Sequence, residues 1–422
     1  MIYPPARTLD TILFAAISCI RLEGSVALLH LHRTPPSITM RQDAHKNWIV
    51  SCLETEDTLP SPDDSEARIP TRLILHLDIN ETILLGDDAG GDSRHDSLQK
   101  MLAKSAFCQL PDSDSGSLKW DDTLQVSPTH WWDGQEMGKE SEMPPLYTGW
   151  KWPDKCCPYY RTNLKKFSKQ FVNQHHGSIY KPILERCEEE LAGSHDDHIL
   201  PAFYRTMEYL ITQDQPFTLA FRTFGSDVEE VANLVTDFAR GKHPDYPNVR
   251  CPQLELSSDL LYQGRWKKLD DGSAVYQLWN QDETKLVASG DAEVLRLLDQ
   301  VTVCGIRDDY PYWKENKFDP TAGKPVWIPL FTNESLDTPY GHHLLFDDNI
   351  HNLPNDGIAC VRRQSADGKF ETMDGATMHS ETQGLHLVRV PTVEPVLNPN
   401  WLVEQIQKAQ VQLQQKFADS KN

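Results

Sequence analysis

Basic side chains are scarce in this sequence: 41 lysines and arginines face 62 aspartates and glutamates, a formal net charge of −21 over 422 residues. That imbalance works against binding a nucleic-acid backbone or an anionic membrane surface, since both repel it. No Cys-x-x-Cys pair occurs among the nine cysteines, at positions 19, 52, 108, 156, 157, 187, 251, 304 and 360. An odd count without paired spacing argues against a disulfide framework and suits reduced thiols in a cytoplasmic protein. The apolar stretch TILFAAISCI, Thr11 to Ile20, is too short to span a bilayer, and Asp10 with the lone cation Arg7 makes a poor signal-peptide flank. The preferred reading is a buried or poorly ordered N-terminal extension. An organellar or secretory leader in the first 20–30 residues is the alternative.

A chain of this length can bury a sizeable core, and the pattern along it suggests one catalytic core with insertions. Residues 1–70 end in LETEDTLPSPDDSEARIP, rich in proline and acid, which reads as a linker into a core that starts near Thr71. Leu73, Ile74, Leu75 and Leu77 form an apolar run that ends on Asp78. A buried aspartate at a strand end requires a cation or hydrogen-bond donors. Gly86 to Ser97 (GDDAGGDSRHDS) reads as a mobile polar flap, followed by Leu98, Met101, Leu102 and Ala106 at helical spacing. Trp120, Trp131, Trp132, Trp150 and Trp152 mark a cap-like insertion over about 108–160. They form either a stacking surface for a sugar or base or a small aromatic core, and the core is the simpler reading.

Ile199, Phe203, Met207 and Leu210 predict a helix over about 196–213, and Phe217, Leu219, Ala220 and Phe221 a second apolar strand. Val228, Val231, Val235 and Phe238 follow at helical spacing. Strand, turn and helix alternating in this way argue for a parallel sheet in an α/β fold. Short alternating segments at 256–290 suggest a small β insertion. Leu344, Leu345 and Phe346 lead into Asp347-Asp348, and Leu402, Ile406, Ala409, Leu413 and Phe417 outline an amphipathic C-terminal helix over about 399–418.

Ligands of open parallel sheets bind beyond the carboxyl ends of the strands, so strands ending in Asp78, Thr223 and Asp347-Asp348 would gather those side chains. Three carboxylates in one place repel unless a cation holds them, and Mg²⁺ prefers such oxygen ligands. Thr223, with Phe224 and Gly225, precedes a helix start where hydroxyl and backbone N–H groups can hold phosphate oxygens. A lysine is needed to neutralise the remaining charge: Lys324 is preferred, with Lys314 and Lys317 as alternatives. Asp308-Asp309 is an alternative acidic pair, but Arg307 interrupts the apolar run before it. His175-His176, His195 to His198 and His342-His343 fit no metal-ligand spacing.

Asp78, Thr223, Lys324 and Asp347-Asp348, in this order over about residues 71–365, resemble the four motifs of the haloacid dehalogenase (HAD)-like phosphohydrolases. The resemblance implies a Rossmann-like parallel sheet flanked by helices, with a cap-like insertion. It implies that Asp78 is a nucleophile forming an aspartyl-phosphate, Thr223 a phosphate-orienting group, Lys324 the motif lysine, and Asp347 and Asp348 Mg²⁺ ligands. The segment after Leu85 matches the family's flap. Asn80 departs from the pattern, for it stands where these phosphatases usually carry an acid/base aspartate. By the same resemblance its backbone carbonyl helps hold the metal, so Mg²⁺ binding would survive while proton transfer is lost. Such help is worth about 10² to 10⁴ in rate, so ordinary phosphate esters should turn over slowly. The expected partner is a small phosphorylated molecule, neither nucleic acid nor membrane. The alternative is a catalytically weak protein that binds Mg²⁺ and a phosphorylated ligand as a regulatory module.

Overall fold

The computed structural model describes residues 38–42, 48–52, 72–86, 92–110, 126–139, 152–193, 198–330, 340–351, 356–391 and 393–420. The chain divides into two compact units, Met1–Glu66 and Ala67–Asn422. In the first, strands β1 (Ile38–Gln42) and β2 (Trp48–Cys52) pair antiparallel. The rest of the 1–70 extension and Thr11–Ile20 lie outside the described residues.

The second unit begins with β3 (Leu73–Asp78), every residue of which is buried. A continuous apolar strand of this kind belongs in the middle of a parallel sheet covered on both faces. Three short strands follow, β4 (Ala106–Gln109), β5 (His130–Trp131) and β6 (Cys156–Pro158), which form a separate antiparallel sheet in the order β5-β4-β6. Next come β7 (Phe217–Thr223), β8 (Leu261–Lys268), β9 (Ala274–Asn280), β10 (Leu286–Ser289) and β11 (Val303–Arg307). The chain then forms β12 (Lys324–Ile328), β13 (His342–Asp347), β14 (Ala359–Gln364), β15 (Phe370–Thr372) and β16 (Leu387–Arg389).

Eight strands make the central sheet, in the order β10-β9-β8-β11-β7-β3-β13-β16. From β8 to β16 the pairings are parallel, and β9 and β10 add an antiparallel edge. The architecture is therefore mixed α/β, a large and mostly parallel sheet flanked by helices. Residues 256–290 are thus no separate insertion, as the alternation had suggested, because β8 is hydrogen-bonded to β11 on its other side. Alternation reads the same for a detached hairpin and for a sheet edge.

Side chains alternate across the sheet. Leu73, Leu75 and Leu77 pack with Phe203 and Met207 of the helix Pro201–Thr212, with Val231 and Val235 of Val228–Ala239, and with Leu402 and Ile406 of Trp401–Ser420. Ile74 faces the other way, in a cluster with Leu295 and Leu298 of the helix Asp291–Gln300 and with Trp327 of β12. β12 belongs to a three-stranded sheet of order β12-β14-β15 that the sequence did not suggest.

Other boundaries shift by a few residues. The flap expected through Ser97 gives way to a helix at Arg94, because Ser93 and Asp96 form a reciprocal capping box. Proline at the first position starts the 196–213 helix at Pro201, and the C-terminal helix runs Trp401–Ser420 rather than 399–418. Within the tryptophan-rich stretch, Trp131 is buried edge-on to Tyr180 with ring centroids 5.2 Å apart, and Trp152 packs on Phe107. Both sit in packed clusters, in keeping with an aromatic core. Trp120 and Trp150 lie outside the described residues. No helix among the described residues is long and apolar enough to cross a membrane.

Candidate functional site

β3 lies between β7 and β13, all three parallel, with Asp78 opposite Arg222 and Leu77 opposite Phe346. Their carboxyl ends therefore deliver Asp78, Thr223 and Asp347 to one edge of the sheet, with Asp348 next in the chain. One carboxylate oxygen from each of Asp78, Asp347 and Asp348 lies within 4.8 Å of the others, and all three residues are buried. This is the only group of three or more possible metal-ligating side chains at such spacing among the described residues. The Asp308-Asp309 alternative lies elsewhere: Asp308 pairs with Arg222, and Asp309 caps the helix Tyr310–Glu315.

Lys324, fully buried, bridges the carboxylates of Asp78 and Asp347, the latter at 2.8 Å. It enters from β12, outside the central sheet. Lys314 and Lys317 are exposed and do not line this cavity. Burial pushes the Asp78 carboxyl well above the usual carboxylate range; Lys324 opposes the shift, while Asp347 and Asp348 add to it. Burial likewise raises Asp347. Burial alone would lower the Lys324 ammonium, but Asp347 and Asp78 outweigh it and hold the lysine protonated. Three mutually repelling carboxylates with one buried ammonium between two of them are an all-oxygen donor set suited to a hard divalent cation. Asp78, Asp347 and Asp348 could hold one.

Around this centre sit groups that the sequence did not single out. Lys104 forms ion pairs with Glu81 and Asp348, and the Thr82 hydroxyl donates to Asp78 Oδ2 at 3.5 Å. The backbone N–H of Asn349 donates to Asp347 Oδ1 at 2.8 Å, and its side chain to Asp348 Oδ1 at 3.1 Å. One residue before Thr223, the fully buried Arg222 makes a bidentate pair with Asp308 at 2.6 and 2.8 Å. Its Nη1 donates to the Pro325 carbonyl at 3.1 Å, which ties β12, and hence Lys324, to the central sheet. Gly323 precedes that lysine because a Cβ there would meet the Ile358 carbonyl oxygen at 2.2 Å.

Thr223, Phe224 and Gly225 line the same cavity of about 1030 Å³ as Asp78, Asn80 and Lys324. The Gly225 N–H is already donated to Thr223 Oγ1 at 2.8 Å, so this backbone donor does not face a ligand. Because that bond uses a lone pair, it leaves the Thr223 hydroxyl proton for another acceptor. The Asn80 amide donates through Nδ2 to Asp227 Oδ2 at 2.9 Å. An ionised carboxylate only accepts, so the amide orientation is fixed by its partner, and Oδ1 is left buried without a hydrogen-bond partner among the described residues.

No protein-family model matches the chain, and no curated protein or solved structure matches it either.

Proposed function

We propose that the protein is a Mg²⁺-dependent phosphohydrolase or phosphotransferase of the haloacid dehalogenase-like type, built on a Rossmann-like core and acting through an aspartyl-phosphate at Asp78. One observation carries the reading: carboxylates of Asp78, Asp347 and Asp348 within 4.8 Å at the ends of adjacent parallel strands, with Lys324 across two of them. Asp78, Asp347, Asp348 and the Asn80 backbone carbonyl would hold Mg²⁺. When bound, the cation neutralises charge on the carboxylates and on the transferring phosphoryl group.

An Asp78 carboxylate oxygen attacks phosphorus, and the bond from phosphorus to the leaving oxygen breaks with its electron pair. Lys324 fixes the nucleophile, and the Thr223 hydroxyl donates to a phosphoryl oxygen. Water then attacks the aspartyl-phosphate, releases phosphate, gives its proton to solvent and restores Asp78. Neither proton transfer can use Asn80, which has no proton to give near neutral pH and cannot take one. Leaving groups that depart unprotonated, such as acyl phosphates, are therefore preferred over alkyl esters.

The rival reading, a weakly active module that binds Mg²⁺ and a phosphorylated ligand, draws on the same amide at position 80. The test assays phosphate esters and acyl phosphates with and without Mg²⁺, beside Asp78→Asn and Asn80→Asp. Mg²⁺-dependent acyl phosphate hydrolysis that Asp78→Asn abolishes is the expected result. Metal-independent activity surviving Asp78→Asn would sink both readings. Tight phosphate binding with no turnover in wild type or Asn80→Asp would favour the module.

A further inference from the structure

Transfer of a phosphoryl group to Asp78 leaves negative charge on the departing oxygen, and Asn80 has no proton to offer it. The other carboxylates that line the cavity, Glu81, Asp92 and Asp348, are each ion-paired with lysine. A cation held beside the oxygen can offset its charge without giving up a proton.

Lys104 is placed to be that cation. It caps the carboxyl end of the helix Arg94–Ala103 and lines the same cavity as Asp78 and Asn80. Its side chain is only 11% exposed, donates to Asp348 Oδ2 and is ion-paired with Glu81 as well. Asp348 ties it to the acidic centre, for an oxygen of Asp348 lies within 4.8 Å of one of Asp78. Glu81 ties it to the residue that follows Asn80 in the chain. Glu81 does so from a left-handed backbone, φ 58°, which residues other than glycine rarely adopt, and outliers of this kind gather at functional sites.

An ammonium has three N–H donors, and Asp348 and Glu81 take up at most two of them. Tyr160 is close enough to act on the charge but accepts no hydrogen bond from it. One donor therefore remains for a ligand in the cavity. The two carboxylates also immobilise the ammonium beforehand, so little freedom is lost when it meets that ligand.

We propose that Lys104 donates to the oxygen that leaves phosphorus, and so stands in for the acid that position 80 lacks. The bond from phosphorus to that oxygen breaks with its electron pair, the ammonium offsets the charge that results, and Lys104 keeps its proton. Glu81 is its positioning residue. The inference rests on the phosphoryl-transfer reading above.

The test measures kcat/KM of the full-length protein, at saturating Mg²⁺, for ring-substituted phenyl phosphates running from 4-nitrophenyl phosphate, a good leaving group, to phenyl phosphate, a poor one. In Lys104→Met the loss should be about tenfold greater for phenyl phosphate than for 4-nitrophenyl phosphate, as expected of one charged contact to the leaving oxygen. Lys104→Arg keeps the charge and should recover part of that difference. Glu81→Gln loosens the ammonium and should shift the ratio about threefold in the same direction. Because a ratio between esters is read, a lower yield of folded protein does not mimic the effect. Equal loss for both esters in Lys104→Met and in Glu81→Gln, which is what a lysine that only shapes the Mg²⁺ site would give, overturns this role and leaves the phosphoryl-transfer reading intact. If the wild type hydrolyses none of these esters and no acyl phosphate, the functional reading and this inference fall together.

Discussion

At position 80 an amide stands two residues after Asp78, its Nδ2 donated to Asp227 Oδ2 at 2.9 Å. Asn80→Asp would set a second carboxyl against Asp227, and like charges at that distance raise the pKa of the pair. The new acid would therefore stay protonated above the usual carboxylate range, as a leaving-group donor requires. We expect ester hydrolysis in Asn80→Asp to rise about tenfold or more, with a pH–rate profile whose acid form persists toward neutrality. A profile unchanged from wild type would refute this. The place of Asp78 at the end of a buried strand was legible in the sequence, since an apolar run before Asp78-Ile79-Asn80 marks one. Lys104 and Arg222 were not, because what they touch comes from distant segments such as Asp348 and Asp308.

Among the elements, β12 depends most on a buried charge. The Arg222 guanidinium, paired with Asp308 and bonded to Pro325, joins β7 to the strand that carries Lys324. Arg222→Met would leave Asp308 uncompensated inside the protein, and breaking a buried pair typically costs about 3–5 kcal/mol. Urea denaturation of this variant should show that loss, and the Arg222→Met, Asp308→Leu double variant should recover much of it. β13 carries a second buried feature. Burial holds His342 down at about 4 and His343 at about 3, against an ordinary value of 6.5. In the unfolded chain both protonate near 6.5, so between about pH 6.5 and 4 the unfolded state binds more protons and stability falls as pH falls. Thermal melts across that window should show a smaller loss for His342→Gln than for wild type. β3, β7 and β13 were readable from their apolar runs, whereas the sheet β12-β14-β15 was not, for Lys324–Ile328 contains a proline and mimics a loop.

For the whole molecule, the proposed metal site at the acidic centre is tested through stability. Removing divalent cations leaves Asp78, Asp347 and Asp348 to repel one another, so adding Mg²⁺ should stabilise the fold by about 2.7 kcal/mol at a hundredfold excess over its Kd. Calorimetric scans with EDTA and with Mg²⁺ test this, and the increment should vanish in Asp347→Asn. The overall α/β class was legible because strand and helix periods alternate along the chain. The same assembly bears on how the chain reaches its native state. Asp78 and Asp347 come together across β3 and β13, strands far apart in the sequence, and the lysine between them arrives on another sheet. Contacts closed over so long a loop form slowly. Refolding should therefore be rate-limited by the pairing of β3 with β13, and activity should return last, after most helical signal has recovered.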